Sequence, residues 1–334
     1  METLHGIYSR TLPDFLADAL ESPCMQRLRG IGMNCGCEYT AFPIFRKGRE
    51  YTRYLHSIGV ARIVWQHTGD RKQALAGLLH DVASPCCPHV IDFMNGDYLT
   101  QESTEAGTGE IIREDRELQK VLARCGISPE EVEDYHLYPI ADNDSPRLSA
   151  DRLEYTMGNI YSFGFGSKEE IRELYEDIHV LRAEDGQEEL GFKDADKALR
   201  FGLLSLQCSR VYVSDADRYC MQMLSEIVRD ALDAGVTDMQ ALYGTEGPLV
   251  ERLKRDARTA SRWQWYAGLC EMRASVTPGP SDDWRRVQAK KRCINPLIAG
   301  QGRLSEISSV FSTELSVFRE MPLDAWLLGV SAMR

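Results

Sequence analysis

Apolar residues recur every three to four positions through most of this chain and strict alternation is rare, a pattern that predicts a mainly α-helical protein. Leu12, Phe15, Leu16 and Leu20 form one stripe and Cys24, Met25, Leu28 and Ile31 a second, giving two short helices within residues 10–31. Gly30, Gly32 and Gly36 then interrupt the pattern, and Tyr39 to Phe45, with Pro43 inside it, reads as a short extended segment. From Arg53 the helical period resumes through Leu55, Ile58, Val60, Ile63 and Val64 up to Thr68-Gly69. The next helix carries Leu75, Leu78 and Leu79, ends in His80-Asp81, and is broken by Pro85 and Pro88.

Further on, His89 to Phe93 reads as a short helix and Glu105 to Ala123 as a longer one. Ser128-Pro129-Glu130-Glu131 has the serine cap, first-position proline and early acids of a helix start. Ser149 precedes a helix through Asp151, Leu153, Met157 and Ile160, and the segments Lys168 to Leu181, Asp194 to Val213 and Asp217 to Ala234 follow as helices. The last third changes character: a turn at Gly244 to Pro248, a polar Pro/Gly linker at Ser275 to Asp283, an extended stretch from Arg285 to Ile298, and a helix near Leu304 to Glu320. We therefore expect a helical core over residues 1–235 and a small α+β lobe over 236–334, packed on the core, with no repeats.

Charge narrows the partners. A net charge of −12 argues against non-specific binding to nucleic acid or to an anionic membrane, so an anionic ligand would need a local cationic site. The first residues carry no apolar leader and no segment approaches the length of a membrane span, so a cytoplasmic protein is expected. Ten cysteines in a chain of 334 residues do not make a disulfide scaffold, and neither Cys35-x-Cys37 nor Cys86-Cys87 has zinc-ribbon spacing.

Four residues fit one mixed-ligand metal site: His56 near the start of one helix, His80 and Asp81 at the end of the next, and Asp151 on a helix about seventy residues later. Two imidazoles and two carboxylates favour one divalent transition ion, Mn, Fe, Co, Ni or Zn, over calcium, with Mg as a companion of the substrate phosphates. Four protein ligands leave positions open for water and a substrate oxygen, which suits hydrolysis. Arg53 lies three residues before His56 on the same helix face, where a guanidinium could grip a phosphate. Tyr155, four residues after Asp151, faces the same side.

The motifs extend beyond the ligands. Arg53-Tyr-Leu-His56-Ser-Ile-Gly-Val, Leu78-Leu-His80-Asp81-Val-Ala-Ser84-Pro85 through His89, and Asp151-Arg-Leu-Glu-Tyr155 together resemble the HD superfamily of metal-dependent phosphohydrolases. Gln26-Arg-Leu-Arg and Phe42-Pro43 are similar to its deoxynucleoside triphosphate triphosphohydrolase branch, the group of the bacterial dGTPases. The resemblance spans roughly residues 26 to 230 and implies an HD-domain helical core.

It also implies roles. His89, with Asp92, would stand beside the scissile phosphate and handle a proton; Arg152 would take the place of a phosphate-contacting lysine; Tyr155 would touch sugar or phosphate, and Asn159 and Tyr212 would meet the sugar. A surface arginine, a helix-capping histidine and a core tyrosine are the competing assignments for Arg53, His89 and Tyr155. The chain departs from the branch at several positions. Ser84 and Gln101 stand where the branch has histidines, Asn159 replaces an aspartate, and Met33 and Asn34 replace the glutamine and leucine that meet the nucleoside. Serine and glutamine carry no proton near neutral pH. Two readings result: a phosphohydrolase acting on a phosphorylated small molecule, with a nucleotide, and first a deoxynucleoside triphosphate, as substrate; or a nucleotide- and metal-binding regulatory module with weak or lost hydrolysis. Either is compatible with a homo-oligomer.

Overall fold

The computed structural model describes residues 2–46, 50–95 and 107–333, so Gln101 and the start of the helix expected from Glu105 lie outside the described residues. Helices begin where a side chain can take up the first-turn N–H groups that have no carbonyl partner. Thr52 Oγ1 accepts from Leu55 N ahead of the Arg53–Thr68 helix, Asp70 from Lys72 N and Gln73 N ahead of Arg71–Leu79, and Ser149 Oγ from Arg152 N ahead of Ala150–Phe163. The first and third of these helices stop on Gly69 and Gly164, whose φ of 63° and 76° is the left-handed conformation that glycine adopts without strain.

These three helices frame the site, and two glycines set their spacing. A Cβ on Gly77 would stand 3.2 Å from Val60, and one on Gly59 would stand 2.5 Å from the Glu154 side chain. The missing side chains let Arg53–Thr68 pack closely on both neighbours, which is what brings His56 within reach of Asp151. Helices Ala195–Tyr212 and Asp215–Asp233 complete the frame.

Two small sheets come from segments far apart in the chain. Ile178–Arg182 pairs antiparallel with Glu188–Phe192, which runs parallel to Leu297–Ile298, itself paired with Gly302–Arg303. Trp326–Ser331 is the centre of the second sheet, flanked by Leu269–Ser275 and Arg285–Arg286, both antiparallel. Buried side chains form two clusters. One is built on the helices around Val60, Leu78, Leu153 and Phe201 and takes in Phe311 and Phe318; the other gathers Phe45, Val90, Met223, Tyr266 and Leu327. Residues after 235 contribute to both.

The elements differ from the expected pattern in several places, four of them instructive. Tyr39 to Phe45 is not extended: Cys37–Tyr39 is a 3-10 turn entered through Gly36 at φ 93°, and Pro43–Arg46 is a short helix. Proline's fixed φ suits a first helical turn as well as a strand, so Pro43 could not decide the matter. Within the described residues, Glu105 to Ala123 is two helices, Thr108–Glu114 and Arg116–Cys125, divided at Asp115, whose carboxylate accepts from Glu117 N, Leu118 N and Cys24 N. Lys168 to Leu181 turns from helix to strand after Tyr175 because Ile178–Arg182 finds a hairpin partner. Ser128 N donates to Glu131 Oε2 at 2.9 Å as at a helix start, but only one 3-10 turn follows. Among the described residues no helix is long and apolar enough to cross a membrane.

Candidate metal centre

Helix Arg53–Thr68 projects His56 inward, and helix Arg71–Leu79 delivers His80 at its C-cap and Asp81 just beyond. Each histidine is oriented by its outer nitrogen. His56 Nδ1 lies 2.5 Å from Glu154 Oε2, and His80 Nδ1 lies 2.8 Å from the Gly77 carbonyl, so both donate outward and turn Nε2 to a common point. The two Nε2 atoms are 3.2 Å apart. Asp151 Oδ1 is 2.9 Å from His56 Nε2 and 3.7 Å from His80 Nε2. Asp81 Oδ2 approaches the same point, 3.5 Å from His80 Nε2 and 4.0 Å from His56 Nε2, and it is buried with no hydrogen-bond donor.

These donors fit a divalent ion. Bonds of about 2.1 Å set neighbouring donor atoms roughly 3.0 to 3.4 Å apart in octahedral or tetrahedral geometry; His56 Nε2, His80 Nε2 and Asp151 Oδ1, 2.9 to 3.7 Å from one another, come near that spacing, and Asp81 Oδ2, at 3.5 and 4.0 Å from the two imidazoles, stands at its margin. An ion at the common point would also satisfy the one oxygen of Asp81 that has no donor. Its other oxygen, Oδ1, is bound to the Arg53 guanidinium and accepts from Ser84 Oγ at 2.9 Å.

Burial and close charges set the ionisation. Burial opposes a cation at His56, but the Asp151 and Glu154 carboxylates prevail and raise it to about 10. Burial likewise opposes the Asp151 anion, and the His56 hydrogen bond with the His56, His80 and Arg152 charges brings it down to about 2. Asp81 is held well below the carboxylate range, against burial, by Arg53 first and then His80 and His56.

The centre opens into a cavity of about 780 Å³ that also receives His89, Tyr155, Asn159 and Tyr212. His89 Nδ1 sits 3.1 Å from Oδ2 of the fully buried Asp92, and burial, reinforced by Arg292 and Arg53, keeps the imidazole below its usual pKa despite that bond. Asn159 Nδ2 donates to Tyr212 Oη at 2.7 Å, and its Oδ1 is buried with no donor. Tyr155 packs edge-on to Tyr212. Met33, Asn34 and Ser84 line the same space.

Both arginines expected to meet phosphate line the cavity. Arg53 bonds Asp81 through Nη1 while its Nε is buried with no acceptor, and Arg152 has a bond on each of its three guanidinium nitrogens. Its Nη1 donates to Asp142 at 2.8 Å, its Nη2 to Asn143 at 2.7 Å, and its Nε to the Arg147 carbonyl at 2.8 Å.

No family model matches the chain. The metal-dependent phosphohydrolase cns2 of Cordyceps militaris is 25% identical over 230 residues, 68% of this chain and 65% of that protein. An uncharacterized Bacillus subtilis protein, YdhJ, is 30% identical over 152 residues, 45% of this chain and 44% of its own. The matched stretches thus span less than two thirds of either relative. In fold, the chain is similar to a hypothetical protein from Aquifex aeolicus, with a TM-score of 0.66, 17% identity and coverage of 96% of this chain and 93% of the other. A phosphohydrolase from Bacteroides thetaiotaomicron gives a TM-score of 0.62 at 13% identity, with 97% of each chain covered.

Three features of the site were not singled out from sequence. Glu154 is fully buried and orients His56 while accepting from Tyr51 Oη at 2.5 Å; its place three residues after Asp151, on the same helix face, was the available signal. Asp217 lines the cavity from the far side and burial pushes its carboxyl well above the usual range. Lys290, Lys291 and Arg292 reach the cavity from the last third of the chain, a basic run that stands out in so acidic a sequence.

Proposed function

We propose that this protein is a metal-dependent phosphohydrolase of the HD type acting on a nucleotide, with deoxynucleoside triphosphates as the first candidates. The observation that carries the reading is the convergence of His56 Nε2, His80 Nε2, Asp151 Oδ1 and the donorless Asp81 Oδ2 on one point at the edge of a large cavity. The name of the Cordyceps relative and that of the Bacteroides structure agree with it.

A divalent ion held by these four residues, Mn, Fe, Co, Ni or Zn, supplies Lewis acidity for phosphoryl transfer to water. The chain's own residues do the rest. Glu154 and the Gly77 carbonyl fix the histidine tautomers; Arg53 holds Asp81 ionised and in place. His89, oriented by Asp92 and kept below its usual pKa by burial, is the group at the cavity wall that can pass a proton to a leaving oxygen. Asn159 offers an acceptor to a ligand hydroxyl, and Tyr155 and Tyr212 offer an aromatic wall to a sugar or base.

One observation favours a second reading, a nucleotide- and metal-binding module with little turnover. Ser84, which does not titrate near neutral pH, donates its hydroxyl to Asp81 where the resemblance calls for a histidine. A panel of deoxynucleoside and ribonucleoside mono-, di- and triphosphates, incubated with the metal-loaded protein and assayed for phosphate and tripolyphosphate release, separates the readings. Turnover by wild type that disappears in Asp151→Ala supports the hydrolase; binding without release supports the module.

A further inference from the structure

Residues 269–276, Leu-Cys-Glu-Met-Arg-Ala-Ser-Val, hold neither proline nor lysine, the residues that commonly keep a strand from pairing with another chain. They form the strand Leu269–Ser275, which lies at one edge of the three-stranded sheet and pairs on one side with Trp326–Ser331. The register is regular from Glu271 to Ser275 and slips once, between Leu269 and Glu271. Among the described residues no strand pairs with its other side. Ala41 N donates to the Leu269 carbonyl at 2.9 Å, and the backbone of Cys270 to Ser275 makes no hydrogen bond outside the sheet.

The other sheet edges are built differently. Arg285–Arg286, across the same sheet, is two residues long and wholly cationic, and Gly302–Arg303 is equally short. Ile178–Arg182 is buried or half-buried up to its last residue. In Leu269–Ser275, by contrast, Cys270, Glu271, Arg273 and Ala274 are exposed, and the adjoining Val276 is 92% exposed.

The pleat sorts these side chains, because residues directly opposite each other in a ladder share a face. Met272 and Ala274 stand opposite Gly329 and Leu327, which are buried, so both belong to the inner face and keep solvent contact only because the sheet ends there. Glu271 and Arg273 stand opposite Val330 and Leu328 on the outer face, 3.8 Å from each other, with side chains 63% and 62% exposed. So open an ion pair adds little to a single chain. Opposite charges two residues apart are, however, self-complementary. When the strand is laid antiparallel on its own copy about a two-fold axis at Met272, Glu271 falls opposite Arg273 of the partner subunit, and Arg273 opposite Glu271 of the partner subunit. An axis at residue 273 would set Arg273 against Arg273 of the partner subunit, and an axis at 271 would set Glu271 against Glu271 of the partner subunit, so the charges select one register.

We propose that a second copy of this chain docks on this edge, its Leu269–Ser275 antiparallel to the first about a two-fold axis at Met272, so that two three-stranded sheets become one of six strands. Backbone groups of 271–273 gain partners, Met272 packs on Met272 of the partner subunit on the inner face, and two ion pairs close on the outer face. The Ala41 contact at Leu269 bounds the paired run at one end. No residue of this strand lines the metal cavity, so the proposal stands or falls independently of the chemistry there.

The test is sedimentation velocity of the full chain across a concentration series, with melting temperatures to confirm that each variant folds. Wild type is expected to dimerise. Arg273→Glu and Glu271→Arg each turn two attractive pairs into two repulsive ones and should raise the dimer dissociation constant roughly tenfold or more. An equimolar mixture of these two variants should dimerise again, since each charge then meets its opposite. Met272→Cys in a Cys270→Ser background, oxidised with diamide, should give a disulfide-linked dimer, because only the residue on the axis meets its own copy; Glu271→Cys and Arg273→Cys in that background should cross-link far less. A wild type that is monomeric throughout the series would overturn the proposal and leave the edge to a strand from another protein. A dimer indifferent to both charge reversals, or variants that do not recombine when mixed, would overturn it as well.

Discussion

Glu154→Gln is the sharpest probe of how the metal centre is built. The carboxylate is fully buried, and one oxygen serves both His56 Nδ1 and Tyr51 Oη at 2.5 Å. The amide keeps an oxygen for these donors and nearly the same volume, so the fold and the histidine tautomer should survive; what is lost is the negative charge behind the imidazole. Exchanging a charge-assisted bond for a neutral one costs roughly 1 to 2 kcal/mol. That is about a fivefold to thirtyfold loss of affinity, and it overlaps the tenfold to hundredfold cost known for outer partners of metal-ligating histidines. Competition against a chelator of known affinity, run on wild type and variant with melting curves alongside, reads the change directly. A loss of about tenfold in ion affinity with a metal-free melting temperature near wild type is expected. An unchanged Kd would show that Glu154 is only a packing partner and that His56 is not a ligand held from behind.

Arg53→Ala should destabilise the metal-free protein by about 3–5 kcal/mol, because it leaves the buried Asp81 carboxylate without its guanidinium. Bound metal should recover part of that loss, so thermal unfolding should show a wider gap between metal-free and metal-loaded forms than in wild type; an equal gap would separate Arg53 from the centre. His89→Ala should lower the rate of any nucleotide hydrolysis by about a hundredfold to ten-thousandfold while leaving metal content intact; full activity would remove His89 from the chemistry. Burial holds His5 and His67 at about 4 against an ordinary 6.5. The unfolded chain therefore takes up protons that the folded chain refuses, and stability, complete above pH 6.5, should fall as pH drops toward 4. Melting temperature against pH should show that slope, shallower in His67→Phe; identical slopes would contradict the assignment.

Much of the helical frame was legible from periodicity, with Gly69 and Ser149 marking two boundaries; Thr52, Asp70 and Gly164, which also bound the helices carrying the four metal candidates, came only with the structure. The convergence of His56, His80 and Asp151 follows from those helices packing through Gly59 and Gly77, a consequence that spacing suggests but only tertiary structure produces. The illegible parts depend on distant partners. Ile178–Arg182 becomes a strand because Glu188–Phe192 and then Leu297–Ile298 pair beside it. The partners of Arg152 were not legible, because Asp142 and Asn143 come within reach of its guanidinium only in the folded chain. Lys290 and Arg292 reach the cavity because the segment 287–296 is bonded to Arg218 at one end and to Pro146 at the other, both distant in sequence.

The measurement that bears most directly on the account is the metal content of the purified protein by elemental analysis, with Asp151→Ala prepared in parallel. Three converging donors with a buried, donorless carboxylate oxygen beside them should retain about one divalent transition ion per folded chain, and removal of one ligand should empty the site. Wild type near one ion per chain and Asp151→Ala near none is the predicted result. Equal metal in the two proteins, or none in wild type after reconstitution with Mn, Fe, Co, Ni and Zn in turn, would contradict the central claim.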